Sequence, residues 1–433
     1  MSAAHVAVIG AGASGAIQAL HLLKAGIGRV TLVERARAPG RGVAYSTVRG
    51  EHLLNVHARR MSPFVDDPGH FARWFEARGG DEEGFAPRMA YGEYLAGLVG
   101  EAGDPLEIVH GEAVDVTPGE TVHLADGRTI AADAVILAPG NFPPATPPGI
   151  DPASLGAFWV GDPWAGDMLA GLGGDDTILL VGTGLTAVDV AMTLETAGFG
   201  GRIVALSRRG LLPRPHGAHE EHVDAATGLP TGCTALLRHI RARGRELGWR
   251  GAVHALRPVT QKLWMAASLA ERRRFLRHLR PWWDVHRHRI APEIGATIAA
   301  MQAAGRLTAI AGKIASAKAG DDAAIVVYRP RGSGEVAHLR VARLINCTGP
   351  EMDISRSGDP LLTALLAAGR LRLDPLCIGL DVDPACAAIG VDGRVSGRLS
   401  VIGPVTRGTF WETVAVPDIR VQADRIAQRL AVA

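Results

Sequence analysis

The 433-residue sequence predicts an α/β fold with two similar sheet-and-helix units and a helical insertion. Three observations support this prediction. A short apolar stretch runs into a glycine-rich turn and then a helical pattern twice, near residues 5–25 and 176–197. In both cases a further apolar strand ends 24 or 25 positions after the first glycine of the turn. The chain is also too long for one ordinary core, so more than one domain is expected.

The first repeat begins with His5–Ile9, whose β-branched and small residues are typical of a short buried strand. Gly10-Ala11-Gly12-Ala13-Ser14-Gly15, the first glycine turn, follows directly and leads into a helix. Gly10 allows the tight turn, Gly12 lets a pyrophosphate approach the backbone, and Gly15 lets the helix pack closely on the strand. The helix N-terminus offers free N–H groups to phosphates. This order predicts a Rossmann-like dinucleotide-binding unit.

An acidic residue completes the first repeat. The strand Arg29–Val33 ends in Glu34, which is followed by Arg35. Glu34 stands 24 positions after Gly10, where a carboxylate of such a unit accepts hydrogen bonds from ribose hydroxyls. The two strands, the helix and the acid together favour a nucleotide site over an ordinary glycine turn.

The second repeat has different chemistry at the end of its second strand. Asp176–Val181 is followed by Gly182-Thr183-Gly184-Leu185-Thr186-Ala187, the second glycine turn, and by an apolar helix. The strand Arg202–Leu206 then ends in Ser207-Arg208-Arg209 instead of an acid. A hydroxyl and two guanidinium groups suit the 2′-phosphate of NADPH, which a carboxylate would repel. Two alternatives remain, namely that the arginines are only solvated loop charges or that this unit binds nothing.

Two such turns in one chain indicate a dinucleotide-binding protein more specifically than either turn alone. One dinucleotide can hold a flavin while the other delivers hydride to it, so we expect FAD at the first turn and NADPH at the second. Ala134–Ala138 and Leu344–Thr348 are predicted strands that each run into a small residue and glycine, which allows the backbone to pass close to a cofactor. Ile108–Val116 is predicted as one further strand.

The strand at residues 344–348 suggests a return to the first unit. We therefore expect an FAD-binding domain made of residues 1–150 and 342–433, with the NAD(P)H-binding domain at 151–341 inserted between them. Residues 231–304 are helical in pattern and rich in Arg, His and Trp. This insertion either covers the active site with an anion-attracting face or packs its tryptophans onto the domain, and aromatic residues at helical spacing favour packing.

Composition limits the other classes of function. The net charge of +2 argues against a protein built mainly to bind nucleic acid. The four cysteines lie far apart, which fits a reducing cytoplasm and gives neither a zinc pattern nor a redox pair. The histidines of the insertion lack a metal-ligand pattern, so no metal site is expected. No apolar run of about 18 residues suggests a membrane span.

Several motifs now resemble one family. The chain is similar at several motifs to FAD/NAD(P)-binding flavoproteins related to class B flavin monooxygenases. These motifs are Gly40–Ser46, His52–Val56 with Met61-Ser62, Tyr91–Tyr94, and the closing Gly403-Pro404 and Trp411–Pro417. That group includes N-hydroxylating and Baeyer–Villiger enzymes. Related proteins carry Gly-Asp where this chain has Gly403-Pro404. The stretch before the second glycine turn lacks the histidine of the Baeyer–Villiger fingerprint, which argues against that reaction.

The resemblance and the two repeats together imply a set of cofactor contacts. Those expected for FAD are Gly10, Gly12, Ser14, Gly15, Glu34, Arg35, Gly42, Tyr45, Asn55, Met61, Val114, Pro139, Gly140, Gly403, Pro404, Trp411, Thr413 and Val416. Those expected for NADPH are Gly182, Thr183, Gly184, Leu185, Thr186, Ser207, Arg208 and Arg209. The positive end of a last helix near Pro417–Leu430 would face the flavin.

The resemblance implies an NADPH-dependent monooxygenase that oxygenates a small molecule with O2 through a hydroperoxide at flavin C4a. The candidate catalytic residues are Asn55, Asp66, His216, Trp411 and Glu412, each of which has a structural alternative. A dehydrogenase, reductase or oxidase without oxygen insertion is the second hypothesis, although a disulfide reductase would need a neighbouring pair of thiols. A flavin-binding sensor is the third. The sequence predicts neither the substrate nor the oligomeric state.

Overall fold

The computed structural model describes residues 4–36, 38–217 and 227–432 and contains two large sheets and one small sheet. The predicted α/β fold with two Rossmann-like units is confirmed. Within the described residues the strands, in chain order, are β1 His5–Ile9, β2 Arg29–Glu34, β3 Leu106–His110, β4 Ala113–Thr117, β5 Thr121–Leu124, β6 Thr129–Ala131, β7 Ala134–Leu137, β8 Trp159–Val160, β9 Thr177–Val181, β10 Arg202–Ser207, β11 Leu307–Ala319, β12 Ala324–Pro330, β13 Ala337–Val341, β14 Arg343–Asn346, β15 Ala387–Ile389 and β16 Val395–Val401.

The α-helices of the same residues flank these sheets and form the insertion. In chain order they are α1 Ala13–Lys24, α2 Gly42–Tyr45, α3 His70–Glu76, α4 Arg88–Gly100, α5 Pro152–Leu155, α6 Leu185–Thr196, α7 Cys233–Leu256, α8 Thr260–Ala266, α9 Leu269–Arg274, α10 Arg280–Arg287, α11 Pro292–Ala303, α12 Pro360–Ala367, α13 Arg407–Phe410 and α14 Val416–Val432.

The first sheet has the order β15-β16-β7-β1-β2-β3, and its central strands are parallel. Its middle strands β1 and β7 are almost fully buried, as expected for strands covered on both faces. The chain leaves this sheet after β7 and returns to it at β15 and β16, because β16 pairs directly with β7. Helices α1 and α14 pack against each other beside it.

The second sheet has the order β13-β12-β11-β10-β9-β14-β8. Strands β9, β10 and β14 form its parallel centre. On one side β12 pairs antiparallel with β11, and β13 pairs antiparallel with β12. Strands from residues 159–346 thus form one sheet, and strands from 5–137 and 387–401 form the other two. The domain boundaries near residues 150 and 342 stay a prediction.

One strand differs from the prediction. The stretch 108–116 was expected to be continuous, but it is divided into β3 and β4 at Gly111. Strand β3 pairs with β2 in the first sheet, whereas β4 pairs with β5 in the small three-stranded sheet. A Cβ at position 111 would lie 3.0 Å from Leu124 Cδ1, so the glycine permits a close approach where the chain changes sheet.

A buried polar contact joins α6, which follows the second glycine turn, to the first unit. Arg88 Nη1 lies 2.9 Å from Asp189 Oδ2 on α6, and His52 Nε2 lies 2.9 Å from Thr193 Oγ1. Burial raises the pKa of Asp189, and the charge of Arg88 opposes that shift. Asp189 therefore depends on Arg88 for its ionised form.

Replacing Arg88 by leucine is expected to reduce the free energy of unfolding by about 2–3 kcal/mol, because Asp189 would keep a buried charge without its partner. Urea denaturation followed by circular dichroism measures this change. The double variant Arg88→Leu/Asp189→Leu should lose less stability than Arg88→Leu. An equal or greater loss in the double variant would show that the carboxylate is not the source of the penalty.

Candidate functional site

The first glycine turn has the geometry that its sequence predicts. Gly10 has φ +97°, and a Cβ there would lie 2.4 Å from the Ala138 carbonyl oxygen at the end of β7. A Cβ on Gly15 would lie 1.8 Å from the Gly10 carbonyl oxygen, so only glycine allows α1 to begin here. Gly12 is the N-cap of α1, and no side chain caps this helix. Its first N–H groups are therefore available to phosphate oxygens.

Neighbouring backbone encloses the turn. A Cβ on Gly12 would lie 3.4 Å from Gly42 Cα, and the Gly40 N–H donates to the Ala11 carbonyl at 2.7 Å. On another side Gly403, with φ +88°, packs so closely that its Cβ would meet Ser14 Oγ at 2.6 Å. The structure thus brings residues 12, 14, 42 and 403 together, although they are distant in the sequence.

Glu34 stabilises the first glycine turn from the end of β2. Its carboxylate accepts from the Ala11 N–H at 2.7 Å and from the Ala36 N–H at 2.8 Å, so it holds the turn in place. A carboxylate has about four acceptor positions, which leaves capacity for ribose hydroxyls. Arg35 beside it is exposed and lies 3.6 Å from Glu112 and 3.8 Å from Asp359.

The second glycine turn repeats this construction. Gly182 has φ +126°, and a Cβ there would lie 2.3 Å from the Cys347 carbonyl oxygen just after β14. Gly184 is the N-cap of α6, which also lacks a side-chain cap, and Leu185 and Thr186 form its first turn. A Cβ on Gly184 would meet no atom within 4 Å, so the backbone of this turn is open to a ligand.

Ser207 forms hydrogen bonds within its own loop. Its hydroxyl was expected to bind the 2′-phosphate, but it lies 2.8 Å from Thr183 Oγ1 and accepts from the Gly210 N–H at 3.0 Å. Thr183 Oγ1 in turn donates to the Leu211 carbonyl at 2.6 Å. Both hydroxyls therefore hold the loop in place, which leaves Arg208 and Arg209 as the groups suited to a phosphate.

Both arginines are accessible to solvent. Arg208 is exposed and Arg209 is partly exposed, with its guanidinium 5.9 Å from the centre of the Trp282 ring. Among the residues that the structure describes, neither forms an ion pair with an acid. Their role in NADPH binding stays a prediction.

The insertion packs onto the C-terminal segment of the chain. Trp264 stacks on Trp411 with ring centroids 4.9 Å apart, and its indole N–H donates to the Gly408 carbonyl at 2.9 Å. Trp411 has φ +62° and ψ −66°, and the Glu412 N–H donates to the Phe410 carbonyl at 2.8 Å. This is a γ-turn, a strained backbone form that often marks functional sites.

Glu412 is a buried carboxylate held by the insertion. Its oxygens lie 3.1 Å from Arg287 Nη2 and 3.8 Å from His288 Nε2, and they accept from the Trp283 N–H at 2.8 Å. Burial alone would raise the pKa of Glu412, but Arg287, His288 and Trp283 outweigh it and hold that pKa below its usual value. Burial lowers the pKa of His288, and the nearby charge of Glu412 offsets part of this decrease.

Replacing Glu412 by glutamine is expected to lower the melting temperature by about 5 °C at pH 7.5, because Arg287 would lose its buried partner. A depressed folded-state pKa contributes stability above the unfolded-state pKa, and that contribution is lost as pH falls through the folded value. The difference between the variant and the wild type should therefore shrink near pH 4. Differential scanning fluorimetry at both pH values checks this. An equal difference at both values would contradict the ionic role of Glu412.

Asn55 and His216 meet in the structure although 161 positions separate them. The His216 ring nitrogen Nε2 lies 3.1 Å from the Asn55 carbonyl oxygen, and its ring packs against Phe85 and His57. Both residues line a small recess that adjoins a cavity of about 550 Å³. Glu412 lines that cavity. Three of the five catalytic candidates thus lie around one space.

Asp66 lies elsewhere, and its proposed catalytic role is not supported. It pairs with Lys24, the last residue of α1, and its side chain is 63% exposed. Because α1 begins at the first glycine turn and spans 12 residues, its last residue Lys24 lies about 18 Å from that turn along the helix axis. Nothing in the contacts of Asp66 beyond this exposed ion pair points to a catalytic task.

The other expected contacts are placed as follows. Thr413 and Val416 are buried at the start of α14, and the Thr413 hydroxyl has no hydrogen-bond partner among the described residues. The Gly403 N–H donates to Gln422 Oε1 at 3.0 Å, which fixes Gly403-Pro404. Met61 lies in the core, and Tyr45 packs on Tyr91. Pro139 and Gly140 follow β7, and Val114 lies in β4.

Sequence reasoning missed Arg257, Arg287 and Arg289, which line the recess beside Asn55. The only signal was the high arginine and histidine content of the insertion, and a pattern of charges does not show which of these side chains face inward.

Within the described residues, no group of three or more His, Cys, Asp or Glu side chains could hold a metal ion. None of the described helices has both the length and the apolar character to cross a bilayer.

Comparisons with known proteins agree with this geometry. Residues 7–142 match a family model described as FAD-NAD(P)-binding. No curated protein matches the sequence significantly. An ornithine N-hydroxylase from Kutzneria sp. 744 superposes with a TM-score of 0.65 at 16% identity over 99% of each chain. An L-lysine 6-monooxygenase from Pseudomonas syringae gives 0.66 at 16% identity, also over 99% of each chain.

The same fold also serves another reaction. A bacillithiol disulfide reductase from Bacillus cereus superposes with a TM-score of 0.57 at 13% identity, covering 99% of this chain and 98% of that chain. At such identities the likeness shows the fold, and function depends on the site. The resemblance that the motifs predicted is nevertheless confirmed: residues 7–142 carry an FAD-NAD(P)-binding sequence, and the whole chain has the fold of N-hydroxylating flavin monooxygenases.

Proposed function

We propose that the chain is an FAD-dependent, NADPH-using monooxygenase that oxygenates a small molecule with O2. The observation that carries this proposal is the pair of glycine turns. Each opens an uncapped helix and packs against a strand-end carbonyl, at Ala138 in one unit and at Cys347 in the other. A chain with two such turns holds two dinucleotides.

The residues present fit FAD. Gly12 leaves the backbone of the first turn without a side chain, and Glu34 has acceptor capacity for the ribose. The Thr413 hydroxyl at the start of α14 is fully buried without a partner among the described residues, which suits a polar atom of a bound ring. When bound, FAD supplies the electron transfer to O2 and the oxygenation chemistry.

The protein's own groups then orient the cofactor and exclude water. The N-terminus of α14 directs its partial positive charge toward Thr413 and the segment before it. The stacked rings of Trp264 and Trp411, with Phe275 at 5.2 Å from Trp411, form an apolar cover beside this segment. We also propose that residues 1–150 and 342–433 form the FAD-binding domain around an NADPH-binding domain at 151–341.

A reductase is the second candidate, because the fold also occurs in a disulfide reductase. The cysteines argue against a dithiol reaction. All four are free, and Cys347, which adjoins the second turn, is buried, which raises the pKa of its thiol. A thiol kept protonated in this way is a poor nucleophile.

Substrate-dependent NADPH oxidation under ¹⁸O₂ tests the function. Amines, thioethers and aromatic heterocycles would be screened, with mass spectrometry of the product. A product carrying one ¹⁸O atom is the expected result. NADPH oxidation that yields only hydrogen peroxide across the panel would favour an oxidase or reductase, and failure of NADPH to reduce bound FAD would favour a sensor.

A further inference from the structure

Trp282 differs from its neighbour in the insertion. Helix α10 carries Trp282 and Trp283 side by side, shortly after the π-helical turn Phe275–Leu279. The Trp283 indole N–H donates to Glu412 Oε1 at 2.8 Å, so this ring is held by the C-terminal segment. Trp282 is 43% exposed instead. It therefore presents an aromatic surface to solvent, next to a helical turn of a kind that often occurs at functional sites.

The exposed ring lies beside the loop that follows β10. The Arg209 guanidinium is 5.9 Å from the centre of the Trp282 ring, which is within the range of a cation–π contact. Arg209 stands two positions after Ser207, the last residue of β10. In a dinucleotide-binding unit this strand end holds the ribose of the adenosine. Trp282 therefore lies at the adenosine end of the second glycine turn, although it is distant from Arg209 in the sequence.

Backbone hydrogen bonds fix this arrangement. The Arg214 N–H donates to the Val285 carbonyl at 3.0 Å, and the Ile290 N–H donates to the Arg214 carbonyl at 3.1 Å. Val285 lies about one turn beyond Trp282 on α10, and Arg214 follows Arg209 closely in the chain. The fold thus holds the ring at the second turn before any nucleotide binds. A ring that is already in place costs little conformational entropy on binding.

We propose that Trp282 is a recognition residue for NADPH and that its indole provides the surface against which the adenine ring packs. Every nucleobase has a π face, and stacking on an aromatic side chain adds affinity. Arg208 and Arg209 then meet the 2′-phosphate, and the cation–π contact with Trp282 holds Arg209 in place. The helical insertion in this way completes the nucleotide site of the second unit. This assignment rests on the proposed use of NADPH at the second turn.

A binding measurement without turnover tests the assignment. The FAD-loaded protein is titrated by isothermal calorimetry with 2′,5′-ADP, which carries the adenine and the 2′-phosphate of NADPH but no nicotinamide. Trp282→Ala should raise the dissociation constant about tenfold. Trp282→Phe keeps an aromatic face and should stay within about threefold of the wild type. If Trp282→Ala does not fold, Trp282→Gln replaces it.

Trp74→Ala is the matched control. The Trp74 ring also carries an arginine, with the Arg78 guanidinium 3.9 Å from its centre, but it lies on α3 and packs against the core of the first sheet. This variant should bind 2′,5′-ADP as the wild type does. Equal weakening in Trp74→Ala and Trp282→Ala would show a general effect on the fold and would overturn the assignment.

The outcomes separate this assignment from the proposed function. Wild-type affinity in Trp282→Ala, or the same loss in Trp282→Phe as in Trp282→Ala, overturns the assignment alone. If the wild-type protein does not bind 2′,5′-ADP, the assignment fails together with the use of NADPH. A loss of affinity confined to Trp282→Ala, beside a negative ¹⁸O result, supports the adenine contact while the proposed oxygenation fails.

Discussion

Replacing Gly12 by valine is expected to give a protein that purifies without FAD. A Cβ at this position already lies 3.4 Å from Gly42 Cα, so the two methyl groups of valine must extend into the space where a pyrophosphate meets the backbone. The ratio of FAD to protein, read from the visible absorbance after incubation with FAD and gel filtration, should fall by about tenfold or more.

Gly97→Val is the matched control. Gly97 lies within α4, and a Cβ there would meet no atom within 4 Å. This variant should keep the flavin content of the wild type, with only the small cost of a β-branched residue in a helix. If Gly12→Val retains a full complement of FAD while folding normally, the first glycine turn is not the pyrophosphate site, and the proposed function would lose its basis.

The double variant Arg208→Ala/Arg209→Ala is expected to raise the KM for NADPH by about a hundredfold, since two charge-assisted contacts to the 2′-phosphate are lost. The KM for NADH should change little, because NADH lacks that phosphate. Initial rates of FAD reduction at varied concentrations of each nucleotide measure both constants. The preference between the two nucleotides is the decisive quantity.

The double variant Arg394→Ala/Arg398→Ala serves as the control, because both arginines are exposed and lie at or beside β16. It changes the net charge by the same amount without touching the second glycine turn. Equal rises in KM for NADPH in both double variants would point to long-range attraction, and no rise in either would mean that Arg208 and Arg209 are only solvated charges.

The sequence predicted both glycine turns because their requirements are local. Gly10 and Gly182 each need a positive φ and lie against a strand-end carbonyl, and a short motif records that need. The strands at 134–138 and 344–348 were predicted to bring backbone close to a cofactor, and their ends supply the carbonyls that lie against Gly10 and Gly182. Local patterns thus identified the backbone geometry of both turns.

The arginine-lined recess was not predictable in the same way. It joins Asn55, His216 and Arg289 from three distant segments, and only packing of the whole chain brings them together. The contact between the hydroxyls of Ser207 and Thr183 was not predicted, because it depends on how the chain folds back after β10. Asp66 was included because it lies near motif residues in sequence, whereas the helix α1 carries its partner Lys24 away from the turn.

The attachment of the insertion has a practical consequence for optical studies. The insertion is encoded between strands of the second sheet, yet Trp264 is stacked on Trp411, which belongs to the segment after β16. Any separation of the two sheet units must move these indoles apart and expose them to solvent. Intrinsic fluorescence therefore provides a label-free measure of such a separation, because the emission of the two indoles would shift to longer wavelength once they are exposed to water.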